Sequence, residues 1–152
     1  MSYSGKLAIL LDSTYLLPIV GVEVEGIEKA LKTLKKLRNA GVATYYYTPF
    51  NLLEILGKLA KTRYPRDRIA AGLLSIEEQL NLTHPTPNGY LKALKLRSKG
   101  FRDLIDLLLY TTSLTKGLTL LTRDEELVEF LRRHGEKTEN ILLEEELIAK
   151  YG

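Results

Sequence analysis

Five carboxylates fall where hydrophobic segments begin or end. Asp12 closes the apolar run "KLAILLD", and Asp124 follows "LTLLTR". Glu54 sits in the second turn of the helix expected after "VATYYYT". Asp103 and Asp106 open the apolar stretch "FRDLIDLLLYTTSLTKG". Each has an ordinary explanation alone: a turn residue, a helix cap, a solvated surface acid. Taken together they suggest a site. In open α/β sheets the ligand crevice lies beyond the carboxyl ends of the strands, and Asp12 and Asp124 both end an expected strand. Carboxylates that converge on one crevice repel and raise one another's pKa. A hard divalent cation relieves that repulsion, and Mg²⁺ or Mn²⁺ is bound through a few carboxylates plus water. Such an ion activates water and neutralises charge that develops on a phosphodiester.

The charge distribution supports a polyanionic partner. Net charge is only +3. Residues 55–102 nevertheless carry ten Lys/Arg against three acids, a net of +7 that leaves −4 for the remainder. "YLKALKLRSKGFR" alone holds Lys92, Lys95, Arg97, Lys99 and Arg102 with no acid. These five are the candidate nucleic-acid-binding cations, set against the simpler alternative of a solvated helix face.

Other chemistries find less support. No cysteine is present, so disulfides, zinc–thiolate sites and thiol nucleophiles are excluded. Neither G-x-x-x-x-G-K-[ST] nor G-x-G-x-x-G occurs. A phosphatase with a strand-ending aspartate nucleophile wants a second aspartate two positions on, where this chain has Thr14. A receiver domain wants paired acids before the end of its first strand, and "AILLD" lacks them. His84 and His134 are single and distant, better suited to surface or capping roles.

The elements that must position the acids follow from periodicity. The 152 residues suit one domain, 1–152. No apolar run approaches the roughly 20 residues of a membrane span. The first residues, "MSYSGKLAILLDS", lack signal-peptide character, and a soluble cytoplasmic protein is expected. Strands are expected at about 6–12, at 42–48, at "LTLLT" and at "NILL". Helices are expected at 24–41, from Pro49 to about Thr62, from Pro65 to about 80, to about Lys99, over 103–115, after Asp124 and at the C-terminus. Thr48-Pro49 reads as an N-cap followed by a first-turn proline. "NLTHPTPNGY" reads as an irregular break, so that 81–100 forms a basic helical insertion. Alternating β and α segments imply a parallel sheet covered on both faces. On the helix over 103–115, Asp103, Asp106, Tyr110 and Ser113 form a polar stripe on an otherwise apolar cylinder. Two acids on such a helix need a cation, hydrogen bonds or a wet cleft.

In order and spacing, "LLDS" at 10–13, "NLLE" at 51–54 and "FRDLIDLLLYTTSLTKGLTLLTRD" at 101–124 resemble the PIN-domain ribonucleases, which include VapC-type toxins. The third block is the most specific: Asp106 stands 18 residues before Asp124. The resemblance implies a three-layer α/β/α sandwich around a parallel sheet of about five strands. It implies an endoribonuclease dependent on Mg²⁺ or Mn²⁺, with Asp12, Glu54, Asp106 and Asp124 as the catalytic set. Asp12, Asp106, Asp124 and Asp103 would be the metal-binding acids, Asp103 being an extra acid that the family pattern does not supply. Ser13 and Thr122 would be polar supports. A homodimer and an antitoxin partner are implied as well. An RNA-processing enzyme and a non-catalytic PIN-like binding module are the competing roles.

Overall fold

The computed structural model describes residues 6–152. The expectation that the chain opens without a signal peptide rests partly on residues 1–5, which lie outside the described residues.

Five parallel strands form one sheet in the order β3-β2-β1-β4-β5. They are β1 (Leu7–Leu11), β2 (Ala43–Tyr47), β3 (Asn81–Leu82), β4 (Thr119–Thr122) and β5 (Ile141–Leu143). Among the described residues seven α-helices accompany them: α1 (Glu28–Asn39), α2 (Pro49–Leu59), α3 (Arg66–Gln79), α4 (Pro87–Ser98), α5 (Leu104–Lys116), α6 (Glu125–Arg133) and α7 (Glu144–Tyr151). Two short 3-10 helices, Ser13–Tyr15 and Leu17–Val20, follow β1.

Strand alternation builds the two cores. Ile9 and Leu11 of β1 face one side with Tyr45 and Tyr47 of β2, against Leu34 and Leu37 of α1, Ile55 of α2, Ile76 of α3 and Leu147 of α7. Leu10 and Leu120 face the other side, against Ala93 and Leu96 of α4, Leu107 and Tyr110 of α5, and Leu131 of α6. The result is the expected three-layer α/β/α sandwich.

The strand assignments from periodicity hold to within a residue or two, with one omission. β3 has two residues, both exposed, too few for any alternation to show. Only its pairing with Tyr46 and Tyr47 makes it a strand. The stretch read as a basic insertion, 81–100, thus contributes β3 and then α4, whose Ala93 and Leu96 are fully buried.

Register sets up the site. β1 and β4 are central neighbours, with Leu11 opposite Leu121. The Asp12 N–H continues the ladder, donating to the Leu121 carbonyl at 3.2 Å. Asp12 therefore stands beside Thr122 at the carboxyl edge of the sheet, two residues before Asp124.

Candidate active site

Asp12 leaves β1 in an extended conformation. Its Oδ2 accepts a hydrogen bond from the Thr122 hydroxyl at 3.1 Å. The same Thr122 oxygen accepts from the Asp124 backbone N–H at 3.0 Å. A hydroxyl can donate and accept at once, so Thr122, itself buried, ties the first and last aspartates together.

Asp103 and Asp124 play matching structural parts. Asp103 is the N-cap of α5, its Oδ1 accepting from the Asp106 N–H at 3.1 Å. Asp124 is the N-cap of α6, its Oδ1 accepting from the Leu127 N–H at 3.2 Å. A cap uses one carboxylate oxygen to satisfy an otherwise unpaired helix N–H. Both side chains still line the same cleft, so the capping and site explanations of Asp124 are compatible. The polar stripe on α5 divides. Asp103 and Asp106 face the cleft, whereas the Tyr110 hydroxyl donates to the Lys137 carbonyl at 2.6 Å. The Ser113 hydroxyl donates to the Tyr110 carbonyl and accepts from Asn140.

Glu54 arrives on α2, and a fastening that residue patterns did not show places this helix. Thr48 caps α2 through its side chain, with Pro49 in the first turn. The buried Asn51 accepts from the Thr48 N–H at 2.8 Å. Its amide donates to the Leu11 carbonyl at 3.1 Å and to the Ser13 hydroxyl at 3.0 Å. Asn51 thereby locks the start of α2 to the end of β1, and Ser13 serves that lock.

A cavity of about 250 Å³ gathers Asp12, Glu54, Asp103, Asp106 and Asp124 with two cations, Lys58 and Arg123. A groove of about 570 Å³ shares Asp103, Asp106 and Asp124 and continues past Phe101, Arg102, Phe130 and Arg133. Of the five cations singled out in 92–102, Arg102 lines this groove. Lys92 is bridged to Glu136 at 2.7 Å, and Lys95, Arg97 and Lys99 are exposed without lining either cavity. Sequence reading missed Lys58 and Arg123. Lys58, one helical turn beyond Glu54, offered a signal in its spacing. His134 caps the C-terminus of α6 and stacks on Phe130, while His84 is exposed beside Pro85.

The electrostatics are those of crowded acids. Burial, and then the negative charge of Glu54, push the Asp12 carboxyl up to about 6 against the lowering effect of Thr122. Asp106 is pushed up to about 9, first by burial and then by the charges of Asp12 and Asp103 and a hydrogen bond with Asp124. Crowding by like charges thus favours the neutral form of Asp106.

An oxygen-only donor set of this kind fits a hard divalent cation. Its spacing is open, however: among the described residues no three His, Cys, Asp or Glu side chains are arranged to hold an ion by themselves. One or two of these carboxylates, completed by waters and substrate phosphate oxygens, would be the kind of coordination Mg²⁺ accepts.

The PIN domain family model matches residues 9–133. The chain belongs to the PIN-domain family. Members of this family are nucleases, and the matched span holds all five acids of the cleft. Among solved structures, a PIN-type likeness is found to VapBC2 of Rickettsia felis bound to a DNA fragment from its promoter, with TM-score 0.60 and 15% identity over 90% of this chain and 97% of that one. PAE2754 of Pyrobaculum aerophilum gives TM-score 0.60 and 15% identity over 98% and 93%. VapC20 of Mycobacterium tuberculosis, a toxin that cleaves the sarcin–ricin loop, gives 0.57 and 15% over 86% and 97%. At such identities these likenesses establish a shared PIN fold. No curated protein matches in sequence. Among the described residues, no helix is long and apolar enough to cross a membrane.

Proposed function

We propose that this PIN domain is an endoribonuclease that hydrolyses RNA phosphodiesters with the help of a bound Mg²⁺ or Mn²⁺. The observation that carries the proposal is the convergence of Asp12, Glu54, Asp103, Asp106 and Asp124 on one cleft, where burial and the neighbouring carboxylates raise the pKa of Asp106. A purely structural acid beside four others gains nothing from its charge, whereas a bound cation converts the repulsion into binding. Asp12, Asp106 and Asp124 would hold the ion, with Asp103 at the rim. When bound, it would activate water and neutralise charge on the phosphoryl oxygens. Glu54, facing Asp12 across the cleft, is the carboxylate left to accept a proton from the attacking water. That water's oxygen adds to phosphorus, the opposite P–O bond breaks, and the departing oxygen takes up a proton. Arg102 in the neighbouring groove, together with the exposed Lys95, Arg97 and Lys99 of the same basic stretch, would contact flanking phosphates. Lys92 belongs to the same set, but its bridge to Glu136 must open first.

The test is cleavage of a mixed RNA pool with and without Mn²⁺, using Asp12→Asn as the control. Metal-independent cleavage, or cleavage that survives Asp12→Asn, would sink the proposal.

We further propose the toxin role of a VapBC-type pair over an RNA-processing role. What supports it, besides the likeness to VapBC2 and VapC20, is an uncovered apolar surface. Leu53 on α2 and Leu91 and Leu94 on α4 are 63–65% exposed, and Tyr90 of α4 packs edge-on against Phe50 of α2. A homodimer partner or an antitoxin would cover such a surface. An adjacent reading frame encoding a small DNA-binding protein that co-purifies with this chain is the expected finding. A chain that is monomeric and has no such neighbour would favour the processing role.

A further inference from the structure

Arg123 is out of place in a site built to hold a cation. It sits between Thr122 and Asp124 and lines the cavity with Asp12, Asp106 and Asp124. Together with Lys58 it supplies that cavity's positive charge. Its Nε donates to Glu144 Oε1 at 2.7 Å. The same oxygen accepts the Tyr15 hydroxyl at 2.9 Å. Tyr15 is 1% exposed, so the anchor is built into the core beneath the site. Burial and the Glu144 hydrogen bond both keep the Tyr15 hydroxyl protonated, and hence a donor. Glu144, the first residue of α7, is therefore held by its own partner before it holds the arginine.

The anchor takes up only Nε. The Nη2 end lies near Gly26, which carries no side chain to cover it. The Arg123 side chain keeps 32% of its exposure, against 15% for Glu144. The Nε end is fixed on Glu144, and among the described residues no hydrogen bond takes up either Nη, although the charge of Glu28 also acts on the guanidinium. A simple tether between β4 and α7 does not need an open fork. A phosphate ligand does, because a guanidinium presents paired N–H donors that match two phosphoryl oxygens. Donors fixed before the reaction contribute most where negative charge develops.

We infer that Arg123 grips the non-bridging oxygens of the scissile phosphodiester, and that Tyr15 and Glu144 position it. This rests on the ribonuclease proposal above. Arg123 makes and breaks no covalent bond; it balances the charge that accumulates on those oxygens as water adds and the P–O bond breaks.

The experiment compares Arg123→Gln, Arg123→Lys and Tyr15→Phe on one RNA substrate at saturating Mn²⁺. Arg123→Gln is expected to lower kcat by about 100-fold, the typical loss on removing one transition-state donor. The Mn²⁺-induced rise in Tm should remain, because no ligand has been touched. Arg123→Lys should recover only a small part, since it restores charge without the fork. Millimolar guanidinium, far below denaturing levels, should partly rescue Arg123→Gln. Tyr15→Phe should lower kcat several-fold with KM little changed. An Arg123→Gln protein with wild-type kcat and only a lower Tm overturns the inference, and so does a loss that guanidinium fails to rescue. Binding of a labelled single-stranded RNA, followed by anisotropy against salt, separates this failure from failure of the ribonuclease proposal. If wild type binds but does not cleave, the nuclease proposal is wrong. Arg123 is then judged by whether Arg123→Gln flattens the slope of log K against log salt by about 0.7. An unchanged slope overturns it, and a wild type that does not bind at all overturns both.

Discussion

Asp106→Asn should make the metal-free protein more stable, by an amount that depends on pH. In the folded protein Asp106 ionises only at about 9, against an ordinary value of 3.8. Below 3.8 the carboxyl is protonated in both folded and unfolded chains and contributes no difference. Above 3.8 the unfolded chain gains the free energy of ionising, which the folded chain forgoes until pH passes about 9. Folding is thus penalised by about 1.4 kcal/mol for each pH unit above 3.8. At pH 7 this comes to roughly 4 kcal/mol as an upper limit. The side chain is still partly open to solvent and shares its site with other acids, so about half, ~2 kcal/mol, is the expected net penalty. Asparagine removes the ionisation and keeps a donor for Asp124. For a domain of this size ~2 kcal/mol corresponds to about 4–8 °C in Tm. Thermal melts in EDTA at pH 4.5 and 7.5 measure it directly. The variant should match wild type within a degree or two at pH 4.5 and exceed it clearly at pH 7.5. In Mn²⁺ the order should shrink or invert, because wild type, with Asp106 as a further ligand, would gain more from the ion. A Tm difference that is absent at pH 7.5, or does not widen with pH, would refute the picture of a protonated, crowded Asp106.

Mn²⁺ affinity should rise by up to tenfold per pH unit between 6 and 9, as one proton leaves Asp106, and more steeply below 6, where Asp12 also loses one. Titration calorimetry at several pH values checks this, and a flat profile would count against both as ligands. Asp103→Asn should retain measurable cleavage and near-normal Tm, because asparagine still caps α5, whereas Asp103→Ala should cost about 1 kcal/mol. An inactive Asp103→Asn beside an active Asp106→Asn would exchange their roles. Neutralising Lys95 and Arg97 together should flatten the salt dependence of RNA binding by about 1.4, and an unchanged slope would direct those side chains to water or to another protein. Asn51→Ala removes the buried link between α2 and β1, so a loss of about 2–3 kcal/mol is expected from denaturant melts. A neutral result would mean that water replaces it.

How much of this was legible in the chain depends on range. The amphipathic spacing of α1 and the apolar runs of β1 and β4 announce themselves locally, and with them the parallel three-layer fold. β3 does not, because two exposed residues carry no period and owe their conformation to Tyr46 and Tyr47 alone. The acids were legible because strand ends and helix starts are visible in sequence. Of their supports, Ser13 and Thr122 were named from their places near Asp12 and Asp124, but Asn51 bonds across 40 residues to Leu11 and Tyr15 across 129 to Glu144, and these were not. The basic stretch misled in part for the same reason. A count of lysines on α4 cannot show that Lys92 is already paired with Glu136, nor that Lys58 and Arg123 are the cations inside the cleft.

The hydrogen bond from Thr122 to Asp12 spans 110 residues. That separation has a temporal meaning. A growing polypeptide that has emerged only as far as α4 can bury much of the first core but has no β4 to lay beside β1. Asp12 then lacks its hydroxyl partner, and neither Asp106 nor Asp124 yet exists in folded form. Contacts so distant in sequence are among the last to form, since chain closure must precede them. If the chain cuts RNA, the messenger and ribosome that make it are exposed to no assembled cleft until synthesis has passed residue 124. The wide separation of its catalytic acids would then keep the nascent enzyme inert toward its own template.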